Sequence, residues 1–353
     1  MITTTAAPRD ERPIIGISMG DPAGIGPEII AKALAREQVH QLCRPIVIGD
    51  LNIMRNATRY ANVPLNVRPV AKVSDATFAR DGIDVFDLQN VDLERLELGK
   101  VSAMAGNAAF EAVRTMIELA QSRAIAATVT APIHKEALVA AGHKFPGHTE
   151  IFAHFTGTSD FTMMLAAGTL RVVHVSTHVS LRQACDAVTR DRVLKVIELA
   201  HDACRRLGIE PPRIGVAGLN PHASDGGLFG SEEREHIIPA VEAVRARGIV
   251  VEGPLPPDTF FAKAAGGAYD VCVAMYHDQG HIPVKMTGFR YDAAIRAWTD
   301  VRGINVSLGL PIVRTSVDHG TAFDQAGKGT ASDASLVDAI EYAARLAAPA
   351  RRL

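Results

Sequence analysis

Three histidines follow directly on short runs of apolar, β-branched residues. His178 follows 171–177, His222 follows 215–219 within Asn220-Pro221-His222-Ala223, and His277 follows 271–275 within Tyr276-His277-Asp278-Gln279-Gly280. In open α/β sheets, ligands collect beyond the carboxyl ends of strands. Three imidazoles there suit a divalent transition metal that keeps positions open for substrate oxygens. The three lie too far apart in sequence to form a local zinc signature. A histidine after a strand is also an ordinary polar loop residue, in a chain that has 13 of them. Spacing leaves both readings open.

Other residues suit anion binding. Lys285, Asn305 and Arg314 combine two cations with an amide, and an arginine grips phosphate or carboxylate through two nitrogens, although a lone Lys or Arg is mostly a solvated surface residue. In Pro146-Gly147-His148-Thr149-Glu150, His148 and Thr149 offer an imidazole and a hydroxyl to an oxyanion, but by type alone Thr149 is first of all a helix N-cap. Gly20-Asp21-Pro22-Ala23-Gly24-Ile25-Gly26-Pro27-Glu28 joins a strand to a helix, where backbone N–H groups favour an anion; a plain tight turn fits as well. It is not G-x-G-x-x-G, and no phosphate-binding G-x-x-x-x-G-K-[ST] occurs. A last glycine-rich stretch, 318–329, reads as a cofactor clamp or an ordinary loop.

These residues must be positioned by alternating strands and helices. Strands are expected at 13–18, 44–48, 124–129, 170–175, 213–219, 270–275 and 304–308. Helices are expected at 25–36, 104–123, 189–207, 231–247 and 332–347. In 104–123, Phe110, Val113, Ile117 and Ala120 share one face. Asp50, Thr189 and Ser231 are expected caps, and Pro239 an expected kink. The alternation predicts an α/β protein with largely parallel sheets, two-lobed, the chain crossing between lobes.

Composition excludes several classes. The 353 residues are 47% hydrophobic and 22% charged, a globular balance that suits two domains. With 37 basic and 39 acidic side chains and no basic block, a nucleic-acid partner is not expected. No apolar stretch is long enough to span a membrane, and 1–13 has no apolar leader core. Cys43, Cys185, Cys204 and Cys272 form no C-x-x-C. A reduced, cytoplasmic enzyme is expected.

The chain resembles the 4-hydroxythreonine-4-phosphate dehydrogenase family. The resemblance is carried, in order, by GDPAGIGPE (20–28), APIHKEAL (131–138), GHTE (147–150), LNPHASDGGLFGSEE (219–233), GPLPPDTFF (253–261), MYHDQGHIPVK (275–285) and LGLPIVRTSVDHGTAFDQAGKG (308–329). It implies the two-lobed fold of the isocitrate and isopropylmalate dehydrogenases, with lobes at 1–135 plus 305–353 and at 136–304. It implies a homodimer with a shared active site in which His178, His222 and His277 bind a divalent metal (zinc, cobalt, nickel, manganese or magnesium). His148, Thr149, Lys285, Asn305 and Arg314 would bind substrate, and His319, Gly320 and Asp324 would bind NAD. The implied reaction is oxidation of a secondary alcohol in an anionic substrate, followed by decarboxylation. Lys285 is also a catalytic candidate. Asp278 is the candidate proton acceptor, with orientation of His277 as its alternative role. A transacetylase-like transferase and a metal-binding scaffold without turnover are the rival classes.

Two departures bear on the substrate. Biosynthetic family members have a shorter connection between Lys285 and Asn305; here it carries the only tryptophan, Trp298, and Arg290, Arg296 and Arg302. It is either a reshaped pocket wall or a surface hairpin. Stretches 91–113 and 181–194 resemble catabolic paralogues acting on four-carbon sugar-acid phosphates. A further branch oxidises terephthalate cis-dihydrodiol.

Overall fold

The computed structural model describes residues 10–294 and 296–348. Its strands, in chain order, are β1 (Ile14–Ser18), β2 (Arg44–Gly49), β3 (Asn66–Val70), β4 (Gly82–Asp87), β5 (Ala127–Thr130), β6 (Thr162–Ala167) and β7 (Leu170–His174). They continue with β8 (Ile214–Ala217), β9 (Val251–Leu255), β10 (Val271–Ala274), β11 (Phe289–Asp292), β12 (Ala297–Val301), β13 (Ile304–Leu308) and β14 (Arg314–Val317). Twelve form one sheet in the order β3-β4-β2-β1-β5-β14-β13-β6-β7-β10-β8-β9, and β11–β12 stand apart as a hairpin. Within the large sheet, neighbours are parallel except where β13 pairs with β14 and β6, and where β6 pairs with β7.

This is an α/β fold with a large, mostly parallel sheet. Parallel strands covered by helices on both faces are buried on both sides, so they read as continuous apolar runs rather than alternating ones. All four residues of β10, Val271–Ala274, are buried, as are all four of β5 and of β8. The helix Ala103–Gln121 buries Phe110, Val113, Ile117 and Ala120 on the expected face.

Most expected boundaries hold to within a few residues. Asp50 caps the helix Leu51–Tyr60, its carboxylate accepting from Asn52 N and Ile53 N, and Thr189 caps Arg190–Arg206 by accepting from Arg192 N. The expected helix 231–247 is corrected. Ser231 makes no side-chain cap; Glu233–Ile237 is a π-helical turn, and Pro239 sits in the first turn of the α-helix Ile238–Arg245 that follows. A proline lacks the N–H that a helix interior requires but is tolerated in a first turn, so the helix changes type there rather than kinking. No helix among the described residues is long and apolar enough to cross a membrane.

The three antiparallel pairings reverse the sheet's polarity. β7, β10 and β8 are parallel to one another and, through β6, β13 and β14, antiparallel to β1 and β5. The strand ends that precede His178, His222 and His277 therefore lie at one edge of the sheet. The loops after β1, β5 and β14 lie at the other.

Candidate active site

The helix His277–Gly288 runs back along the sheet from the first edge toward the second. His277 opens it and Lys285 sits in its last turn, about 12 Å further along at 1.5 Å per residue. Its start is pinned by buried Gln279, which accepts from Met275 N at 2.6 Å and donates to Gly218 O at 2.7 Å. Gly280 lets the helix close on β7: a Cβ there would stand 2.3 Å from His174 Nε2. Burial drives that imidazole down to a pKa of about 3, so His174 is neutral packing.

His178 and His277 face each other with ring centroids 5.9 Å apart. Each turns Nδ1 to a carboxylate: His277 to Asp278 Oδ1 at 2.7 Å, and His178 to Glu150 Oε1 at 3.8 Å. The nearby His178 imidazole lowers the Glu150 pKa. A carboxylate on Nδ1 orients an imidazole and leaves Nε2 free, the arrangement found behind metal ligands. This donor set fits a divalent metal and would hold it through His178 and His277. Asp278 is exposed and bonded to its neighbouring ring, a position suited to orienting His277.

His222 stands elsewhere. Among the described residues, no group of three His, Cys, Asp or Glu side chains is placed to hold a metal within one chain. His222 is exposed on the turn after β8, where His222, Ala223, Ser224, Asp225 and Gly226 all have φ between 47° and 72°. For residues with a Cβ, the left-handed region costs of the order of 1 kcal/mol each, and such strain concentrates at functional sites.

Arg314, at the start of β14, is 2% exposed. Its NH2 nitrogen donates to Thr130 Oγ1 at 2.9 Å, and its NH1 nitrogen to Ser307 Oγ at 3.2 Å and Thr149 Oγ1 at 3.5 Å. Its Nε has no partner and, among the described residues, no carboxylate pairs with it. Burial lowers its pKa to about 10, offset in part by Glu150. A buried cation held only by hydroxyls is short of a negative charge, an arrangement suited to an anion. Beside it, His148 Nε2 is buried without a partner, and burial holds that imidazole well below its usual pKa. Gly147, not Thr149, is the N-cap of His148–Thr156, which frees the Thr149 hydroxyl for Arg314.

Lys285 Nζ reaches Asp318 Oδ2 at 2.6 Å, just past β14, and lies 4.4 Å from the Phe289 ring centroid. Burial raises the Asp318 pKa, and the ammonium opposes that shift. Asn305 Oδ1 is buried with no partner. Phe289 roots the hairpin β11–β12. Trp298 packs edge-on to both Phe289 and Tyr291, yet Trp298 and Tyr291 remain 59% and 55% exposed.

Residues 41–343 match the family described as pyridoxal phosphate biosynthetic protein PdxA. The chain belongs to the PdxA family. It is 50% identical over 339 residues to D-threonate 4-phosphate dehydrogenase of Cupriavidus necator, covering 96% of this chain and 98% of the relative. A crystal structure of a 4-hydroxythreonine-4-phosphate dehydrogenase from Burkholderia phymatum matches with TM-score 0.81 and 46% identity, covering 96% of this chain and 99% of that one. A terephthalate 1,2-cis-dihydrodiol dehydrogenase from Burkholderia xenovorans LB400 matches at TM-score 0.66 and 31% identity, over 95% and 98%. Like these relatives, the chain is a dehydrogenase, an oxidoreductase acting on CH–OH.

In this PdxA chain the loop 318–329 packs on the loop 20–28: Ile25 N donates to Thr321 O at 3.0 Å, and a Cβ on Gly24 would lie 3.0 Å from Thr321. Gly320 has open space above it, His319 is half-buried and Asp324 is exposed. Such a cradle fits a dinucleotide. Four partners escape motif reading. Glu150 and Asp318 lie inside the quoted motifs, next to residues singled out. Ser307 and Thr130 are hydroxyls on strands with no local signal.

Proposed function

We propose that the chain oxidises the secondary alcohol of a four-carbon acid 4-phosphate with NAD and a divalent metal, D-threonate 4-phosphate being favoured. Arg314 carries this reading: a buried guanidinium with its Nε open and no carboxylate partner among the described residues requires an anion. The choice of substrate rests on the 50% identity to the D-threonate 4-phosphate enzyme, against 46% to the 4-hydroxythreonine-4-phosphate enzyme. The two lobes, 1–135 plus 305–353 and 136–304, would enclose the cleft between them. A second copy of the chain would bring its His222 to His178 and His277.

When bound, NAD would accept the carbinol hydrogen as hydride, and the metal would stabilise negative charge on the substrate oxygen. Arg314, Thr149 and His148 grip one anionic end, while Lys285 and Asn305 hold the other, converting binding energy into orientation. Oxidation at the carbon β to the carboxylate, with the hydroxyl proton passing to solvent water, would make a β-keto acid, which loses CO2. Lys285, a cation paired with Asp318, is the proton donor for the enolate that remains. Asp278 orients His277.

The test is NADH formation by the purified protein with added divalent metal, using D-threonate 4-phosphate, 4-hydroxythreonine-4-phosphate and terephthalate cis-dihydrodiol in parallel. Turnover of the first, lost on chelation, is expected. Turnover of the dihydrodiol alone would replace the phosphate reading with a carboxylate one, the reading that the 31% identical dihydrodiol dehydrogenase supports. No turnover with any of the three would sink the proposal.

A further inference from the structure

Inside the turn that carries His222, Ala223 N donates to Asn220 O at 3.1 Å and Phe229 N to Ser224 O at 3.2 Å, yet four of its residues with a Cβ keep positive φ. His, Ala and Ser rarely adopt positive φ, and only Gly226 does so without strain. Glu233 holds the two residues that lead into the turn. It is 1% exposed, in the π-helical turn that follows. Its Oε1 accepts from both Leu219 N and Asn220 N at 2.8 Å, and its Oε2 accepts from Asn220 Nδ2 at 2.8 Å. Among the described residues it has no cationic partner within ion-pair distance, so three N–H donors alone receive the carboxylate. Asn220 Nδ2 also donates to Glu232 Oε2 at 2.8 Å.

The clasp closes tightly from both sides. A Cβ on Gly218 would meet Ala223 Cα at 2.7 Å and Glu233 Oε1 at 3.1 Å. A Cβ on Gly230 would meet Asn220 Nδ2 at 2.5 Å. The chain enters the turn at Leu219 and Asn220, held by Glu233, and its first left-handed residue is His222 two positions on. A short π segment places the glutamate there, as such segments often do beside functional residues.

We propose that Glu233 is a positioning residue for the metal: it holds the left-handed turn that presents His222. The inference rests on reading His222 as a ligand. Glu233 never touches the metal or the substrate, and acts only through the backbone it fixes.

The test is metal affinity of the full-length protein, stripped of metal and titrated with Co2+ while its visible d–d absorption is followed. Glu233→Gln preserves volume but sets an NH2 donor against N–H donors. The dissociation constant is expected to rise about 10- to 100-fold. Adding Asp225→Gly lowers the cost of the left-handed turn without touching Glu233, so the double variant should recover most of the loss. If Glu233→Gln does not fold, Asn220→Ala, which removes the side-chain link to both glutamates, should weaken Co2+ binding and be rescued by the same glycine. Unchanged affinity in a folded Glu233→Gln or Asn220→Ala protein, or a loss that Asp225→Gly leaves untouched, overturns the inference. A wild-type protein with no saturable Co2+ site removes the ligand reading of the histidines, and this inference with it. That result would be seen before any variant is made.

Discussion

Lys285 Nζ lies 2.6 Å from Asp318 Oδ2, and this pair joins the two edges of the sheet. Lys285 belongs to the helix that begins at His277, and Asp318 begins the loop 318–329 beyond β14. Because β7, β8 and β10 run opposite to β1, β5 and β14, the pair spans from the loops that follow one set of strands to those that follow the other. The pair also sets a competition, since an anion that binds Lys285 must draw it from Asp318. Asp318→Asn removes the competing charge but keeps the backbone carbonyl that accepts from Nζ at 3.1 Å. Inorganic phosphate should then inhibit more strongly, its inhibition constant falling about fivefold, the effect of a partly buried ion pair. A weaker inhibition would mean that Asp318 positions Lys285 rather than competing for it.

Arg314 predicts opposite effects on stability and turnover. Its charge is buried without a carboxylate, and it is ionised in both folded and unfolded chains at neutral pH. The desolvation cost is therefore present throughout the working range. Arg314→Met fills a similar volume without charge. It should abolish turnover while raising Tm by about 2 °C, the gain being limited by the three hydroxyls left without a donor. Arg314→Lys keeps the charge but loses the two-nitrogen grip, and kcat/KM should fall about 100-fold. A Tm drop in Arg314→Met would show that the hydroxyl contacts outweigh the buried charge.

The types of Arg314, Lys285 and Asn305 suit an anion, but a lone Lys or Arg is as often solvated, and their partners were not legible from the sequence. Thr149 was ambiguous because a hydroxyl after Gly147-His148 reads as a cap; only the helix start at His148 decides it. The reversal of sheet polarity was not legible, since it follows from β13 and β14 inserting between β5 and β6, a pairing of segments remote in sequence. The left-handed turn was hidden for another reason: His222-Ala223-Ser224-Asp225 has no glycine to signal its positive φ values.

At the root of the hairpin β11–β12, the Phe289 ring centroid lies 4.4 Å from Lys285 Nζ, while Trp298 packs on Phe289 and Tyr291. Phe289 offers its ring to Lys285, and a cation–π contact of this kind contributes about 0.5–1 kcal/mol. Phe289→Ala should raise KM about three- to fivefold with little change in kcat. Phe289→Tyr, which keeps a π-face, should restore it. Trp298→Ala should leave kcat/KM within about twofold, because Trp298 is mostly exposed and reaches Lys285 only through Phe289. Steady-state kinetics on the three variants separates the two ends. A large effect of Trp298→Ala alone would assign the tip a role in the pocket.

Asp21 gives a pH-dependent prediction. It is fully buried after β1, its Oδ1 accepting from Ala23 N at 2.9 Å and its Oδ2 without a partner. Burial raises its pKa from 3.8 to about 6. The folded state thus holds the Asp21 proton more tightly than the unfolded chain, so ionisation opposes folding. The cost is absent below the unfolded pKa, grows between about pH 4 and 6, and is fully present above, reaching about 3 kcal/mol at most. Asp21→Asn keeps the acceptor for Ala23 and removes the charge. It should therefore be more stable than the wild type, with an advantage at pH 8 about twice that at pH 5. Urea unfolding at the two pH values measures this directly. An advantage that is the same at both would mean that Asp21 titrates alike in the folded and unfolded chains, and that its unpartnered Oδ2 is met by a donor when the protein is in water.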